Sequence, residues 1–232
     1  MTKYLYILIL LFLASCRRTH NNSEKIEIAY SDSIVKTTEY STEKNIKLTD
    51  KTVKFLWRED QYDKDLKDTL NTIIINEELC KSLSEPERAA LGFVVTFIGS
   101  DCDWDGEAKD DRTNLKCKTL DALGLGYQCS DKHLGFLRQW FKNDRKSLND
   151  LEFEGCPTTP YTATIQNTFD YINLKVKDNR ISVEFGANGV NMRMGESWSW
   201  TETDHFQFDI DHIKLINIDK SKVITEHWDI EE

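Results

Sequence analysis

Apolar positions change their spacing along the chain, and each change marks a different kind of element. An unbroken apolar run covers Tyr4 to Ala14, after the single charge of Lys3. Residues 17–47 are then rich in Ser, Thr, Asn, Lys and Glu, with one short alternation at Ile26, Ile28 and Tyr30. Residues 50–70 mix apolar and charged positions without a clear period, and the β-branched stretch Leu70–Ile75 suits a buried strand. Ser84-Glu85-Pro86-Glu87 carries a cap, a first-turn proline and a Glu three residues on, which predicts a helix start. That helix runs to Ile98, is apolar nearly all round after Arg88, and stops at Gly99. A second helix is predicted from Thr113 to Leu123, ended by Gly124 or Gly126. A third is predicted from Ser130, with Leu134, Leu137 and Phe141 on one face, ending near Asn143 and Asp144.

Beyond Cys156 and Pro157 the period shortens to two. Phe169–Lys177 and Arg180–Phe185 alternate around Asp178-Asn179, a hairpin turn. Val190–Met194, Trp198–Thr201 and Phe206–Ile210 continue the pattern, the last of them toward Ile213, Leu215, Ile216 and Ile218. The expected fold class is α+β: a helical, disulfide-braced N-terminal half (48–156) followed by an antiparallel meander of about five strands (157–232), together one domain.

A charged start, a short apolar stretch and small residues before a Cys have the layout of a secretory signal peptide. The run is shorter than the ~20 residues needed to span a bilayer. Leu13-Ala14-Ser15-Cys16 resembles the lipobox of bacterial lipoproteins. The resemblance implies removal of residues 1–15, lipidation at Cys16 and a membrane partner reached through that lipid. Residues 16–47 then become a tether reaching roughly 30 Å as a flexible chain. Arg17 and Arg18 are not the acidic residue that retains many lipoproteins in the inner membrane, so the resemblance implies the outer membrane within the bacterial cell envelope.

Export changes the meaning of the cysteines. Of six, Cys16 belongs to the anchor, and Cys80, Cys102, Cys117, Cys129 and Cys156 remain. In an oxidising compartment these permit two disulfides and one free thiol, with the pairing open. The formal net charge of −10 excludes a general nucleic-acid binder, because phosphate contacts need Lys and Arg; it suits a basic envelope protein as partner, against the simpler reading that the acidity only keeps the chain in solution.

Asp101-Cys102-Asp103-Trp104-Asp105-Gly106-Glu107 resembles the first half of an EF-hand loop, in which alternate carboxylates converge on calcium. Asp101, Asp103, Asp105, Glu107 and Asp111 are its candidate ligands. The ninth loop position is Lys109 and the twelfth is Arg112, where the pattern calls for a bidentate Glu; the competing reading is an acidic loop before a helix. No other cofactor is expected. Trp198 and Trp200, two apart on a strand, share a face and offer an aromatic binding platform, or else pack in the core. His205, Gln207, Asp209 and Asp211 alternate opposite Phe206, Phe208 and Ile210, a row suited to metal or acid–base work or to a plain solvated face. His133 lies four residues from Cys129.

No nucleophile elbow, zincin motif, phosphate loop or dinucleotide fingerprint occurs, and no catalytic residue is assigned. The first functional expectation is therefore a non-enzymatic binding module at the envelope, of immunity or inhibitor type. The alternatives are an envelope hydrolase acting on glycan or peptide, and a calcium-stabilised structural module.

Overall fold

Thirteen residues that show no clear period in the sequence form the longest strand of the first hairpin. In the computed structural model, which describes residues 46–99, 115–156 and 165–229, β1 spans Lys51–Asp63 and pairs antiparallel with β2, Asp68–Ile75. The outer part of this hairpin, from Glu59 to Tyr62, is exposed on both faces, so nothing there enforces alternation. The N-terminal half is therefore not helical: two strands precede the helices, which lie between β2 and β3 in the chain.

Helices α1 (Glu77–Ser82), α2 (Glu85–Phe97), α3 (Leu115–Ala122), α4 (Asp131–Trp140) and α5 (Arg145–Asp150) follow, and a π-helical turn occupies Leu151–Gly155. Side chains fix several starts. Asn76 Oδ1 accepts from the Leu79 N–H at 3.0 Å, and Ser130 Oγ from the His133 N–H at 3.2 Å. Glu87 accepts from the Ser84 N–H at 2.8 Å and pairs with Lys51 at 2.9 Å, which ties α2 to β1. Gly99, with φ +96°, follows the end of α2 in a conformation that side chains resist.

The second half is a continuous antiparallel run: β3 (Ile165–Lys177), β4 (Arg180–Asn191), β5 (Glu196–Asp209), β6 (His212–Lys220) and β7 (Ile224–His227). With the first hairpin they make a seven-stranded sheet in the order β2-β1-β3-β4-β5-β6, β7 joining β5 beside β6. The β3–β4 hairpin turns at Asp178-Asn179, with Asp178 at φ 55°. Two expected strands are one: β5 runs unbroken through Trp198 and Phe206, while residues 192–195 form the turn that precedes it. Ile210 and Asp211 lie in the β5–β6 turn rather than on the strand, and Ile210 is exposed with φ 46°.

One sheet face carries the core. Ile172, Leu174, Val176, Ile181, Val183, Phe185, Phe206 and Ile213 are all at most 2 % exposed. Against them lies α2, apolar nearly all round because sheet, α3, α4 and the π-turn contact it. Phe93 sits 4.6 Å from Phe141 and edge-on to Phe206 at 6.0 Å. Buried Asp144 fastens the helical layer to the sheet: it accepts from the Ser147 N–H and hydroxyl and from the Leu215 N–H of β6 at 3.0 Å. No helix among the described residues is long and apolar enough to cross a membrane.

Candidate functional site

The opposite sheet face is polar and concave. Alternation sends Asn173, Lys175 and Lys177 of β3, Arg180, Ser182 and Glu184 of β4, and Thr203, His205 and Gln207 of β5 away from the core. With Thr52 and Lys54 of β1 and the approach segment at Lys47 and Asp50, they line a cleft of about 1340 Å³. Five cations (Lys47, Lys54, Lys175, Lys177, Arg180) face three carboxylates (Asp50, Asp178, Glu184). Two of those carboxylates are engaged: Asp50 accepts from the Asp178 N–H at 2.8 Å and Glu184 from the Tyr171 hydroxyl at 3.2 Å. A chain with net charge −10 thus carries a locally cationic cleft.

Three strands build a polar relay at one side of this cleft. His205 Nδ1 lies 2.9 Å from Ser182 Oγ, and its Nε2 lies 3.0 Å from Asp219 Oδ2. An ionised carboxylate only accepts, so in the neutral ring Nε2 carries the hydrogen and Nδ1 accepts from the Ser182 hydroxyl. This orders a hydroxyl, an imidazole and a carboxylate as in a hydrolase triad. Other features differ. β4 is flanked by β3 and β5, so its backbone N–H groups are engaged in the two ladders and leave no oxyanion hole beside Ser182. Asp219 is also 66 % exposed, which weakens its hold on the ring.

The other histidine singled out in the sequence is a core group. His133 is fully buried, accepts the Cys129 N–H at Nδ1 (3.1 Å) and donates from Nε2 to Thr96 Oγ1 (3.0 Å). Burial, helped by Lys116, lowers its pKa to about 4 and keeps it neutral. Cys129 is no nucleophile, because it is bonded to Cys156. Cys117 is also disulfide-bonded, Cys80 is a half-buried free thiol whose pKa burial pushes up, and Cys102 lies outside the described residues. Cys80 is thus removed from the disulfide candidates.

Trp198 and Trp200 do share a face, on the core side of β5, and Trp200 packs against the core. Both are half-buried, and both indole N–H groups donate, to Asn167 and Glu202, each at 3.1 Å. Lys220 covers the Trp200 ring at 4.8 Å. Further along this face Asp204 is buried, and its Oδ1 has no hydrogen-bond partner. Asp211 pairs with Lys142 and His212 instead of joining the His205 row. The calcium candidates Asp101, Asp103, Asp105, Glu107 and Asp111 lie outside the described residues, as does Cys16. Among the described residues, no three His, Cys, Asp or Glu side chains converge as a metal set.

Sequence reasoning found His205 but not Ser182 or Asp219, nor the cations Lys175 and Arg180. Strand alternation could have placed Ser182 and Lys175 on the outer face, since their neighbours Ile181, Val183, Leu174 and Val176 are apolar. Compared with known proteins, the chain matches no family model, no curated protein and no solved structure.

Proposed function

We propose that this protein is a non-enzymatic binding module, of immunity or inhibitor type, tethered to the bacterial envelope through a lipid on Cys16. Its outer sheet face takes an extended anionic ligand or an acidic partner segment. The observation that carries this reading is the cationic cleft on an otherwise acidic chain. Local excess of Lys and Arg attracts anions, and the surrounding acidity rejects polyanions elsewhere on the surface. From Tyr171 to Lys177 the face extends about 20 Å along β3, taking ~3.3 Å per residue, which suits a chain-like ligand.

The test is a titration of the full chain with fluorescent oligoglutamate and, separately, oligolysine. Oligoglutamate should bind, more weakly as salt rises, and the Lys175→Glu/Arg180→Glu variant should lose it. Oligolysine binding in its place would refute the anionic reading and restore a basic partner. Palmitate labelling lost in Cys16→Ser checks the anchor, and calcium calorimetry checks the loop from Asp101 to Asp111.

The Ser182–His205–Asp219 relay favours a second reading: hydrolysis of an ester or amide with Ser182 as nucleophile and His205 as base. Release of nitrophenol from nitrophenyl esters, abolished by Ser182→Ala, would establish it. Turnover unchanged in that variant would remove it.

A further inference from the structure

Two backbone irregularities lie side by side at one end of the cleft. The β1–β3 register shifts between Lys54 and Leu56, and the β3–β4 register shifts between Phe169 and Tyr171. Phe55 and Leu56 are consecutive and both fully buried, so alternation resumes one residue late and Trp57 takes the outer side. Phe169 and Ile172 are both in the core, three apart, so Asp170 and Tyr171 both turn outward. The first bulge re-aims Trp57, which plain alternation from Val53 would bury; the second turns Asp170 outward beside Tyr171, which faces out in phase with Asn173 and Lys175. Bulges that re-aim side chains in this way gather at functional sites.

The aromatics line one recess of about 490 Å³, which shares Lys54, Asn173 and Glu184 with the main cleft. The Tyr171 ring lies directly over Gly186: a Cβ there would stand 2.5 Å from its Cε1. Only glycine at this position lets the ring lie down on the sheet, and Tyr171 O–H donates to Glu184 at 3.2 Å to hold it. Arg58 fixes the second bulge, donating from Nε to Asp170 (3.1 Å) and from Nη2 to the Phe169 carbonyl (3.0 Å). Asn188 adds a bond to the same Asp170 oxygen at 2.6 Å.

Flat aromatic faces beside fixed carboxylate, amide and ammonium groups suit a sugar ring, which presents C–H groups on its faces and hydroxyls at its edge. Among the described residues of the recess, Trp57 and Tyr171 are the apolar anchors. Resting on the cleft reading above, we propose that the recess between Trp57 and Tyr171 is a sugar-stacking subsite, and that the anionic ligand is an acidic polysaccharide. Its rings stack at Trp57 and Tyr171, and its carboxylates run toward Lys175 and Arg180.

Intrinsic fluorescence and calorimetry of the full chain test this with three probes: a galacturonate oligomer, its uncharged galactose counterpart and an oligoglutamate of equal length. The galacturonate oligomer should bind roughly tenfold tighter than either other probe, Trp57→Ala should cost roughly tenfold, and Trp57→Phe should recover most of the loss. Gly186→Ala, which pushes the Tyr171 ring off its seat, should weaken the same probe and guards against misfolding of Trp57→Ala. If oligoglutamate binds as tightly and Trp57→Ala changes nothing, the sugar inference falls while the cationic cleft stands. If the galactose oligomer binds as well as galacturonate, the acidic ligand class is overturned. If neither anion binds, both readings fall.

Discussion

Asp204 gives the sharpest quantitative test of the packing described above. It lies on β5 between Val183 and Ile218 across the ladders, is 6 % exposed, and leaves Oδ1 without a partner. Burial is the main cause that raises its pKa from 3.8 to about 7; Glu202 adds to the rise and Lys220 opposes it. Over that window the native state holds a proton that the unfolded chain has released. Stability is therefore full below the unfolded value and is lost as pH rises toward 7. A tenfold change in proton affinity is worth about 1.4 kcal/mol, so a difference of roughly a thousandfold between folded and unfolded chain comes to about 4 kcal/mol. Asp204→Asn keeps the shape and removes the titration. An amide at this site also has its own cost in unmet hydrogen bonds, but that cost does not change with pH. Urea unfolding of both proteins, followed by tryptophan fluorescence from about pH 4 to about pH 8, isolates the effect. The stability of Asp204→Asn relative to the parent should climb by about 4 kcal/mol across that range. A difference that stays level with pH would refute the argument that the carboxyl is held neutral by burial.

His133 titrates in the opposite sense. Its lowered pKa of about 4 means that stability is present above the ordinary 6.5 and is lost as pH falls toward 4, and His133→Gln should flatten that acid limb by about 3 kcal/mol in the same unfolding series. Asp144→Ala strips the partner from the Ser147 N–H, its hydroxyl and the Leu215 N–H, and should cost about 2–3 kcal/mol, with faster amide exchange at Leu215 as the local signature. Cys129 and Cys156 close a loop with a sequence separation of 27, so replacing both by Ala should lower stability by about 3–4 kcal/mol; equal denaturant midpoints for the variant and the oxidised parent would contradict it.

The helical layer was legible because its signals are local. Ser84, Pro86 and Glu87 mark the start of α2, Gly99 lies just beyond its end, and the apolar run between them has no room for a solvent face. The hairpin at Asp178-Asn179 was legible for the same reason. The cleft obeys rules that span strands. Ser182, His205 and Asp219 meet because β4, β5 and β6 are in register to within one bulge, at His205/Phe206, and no short window contains that information. Period two, applied without the bulge in β1, even points the wrong way: it buries Trp57 and leaves Leu56 exposed. Trp198 and Trp200 drew attention because they lie two apart in sequence, yet β5 turns them to the core side, where Trp200 packs against the core and both N–H groups are tied down. The aromatics that face the cleft are 114 positions apart in the chain, and they meet because the register slip in β1 turns Trp57 onto the face that Tyr171 occupies. A bulge costs ladder hydrogen bonds, and two adjacent ones would be removed by simple changes of sequence if stability alone shaped this corner of the sheet. Their presence beside a cationic cleft, with Arg58 and Asn188 committed to holding Asp170 in place, is the strongest structural reason to look for function on the outer face of the sheet rather than among the helices.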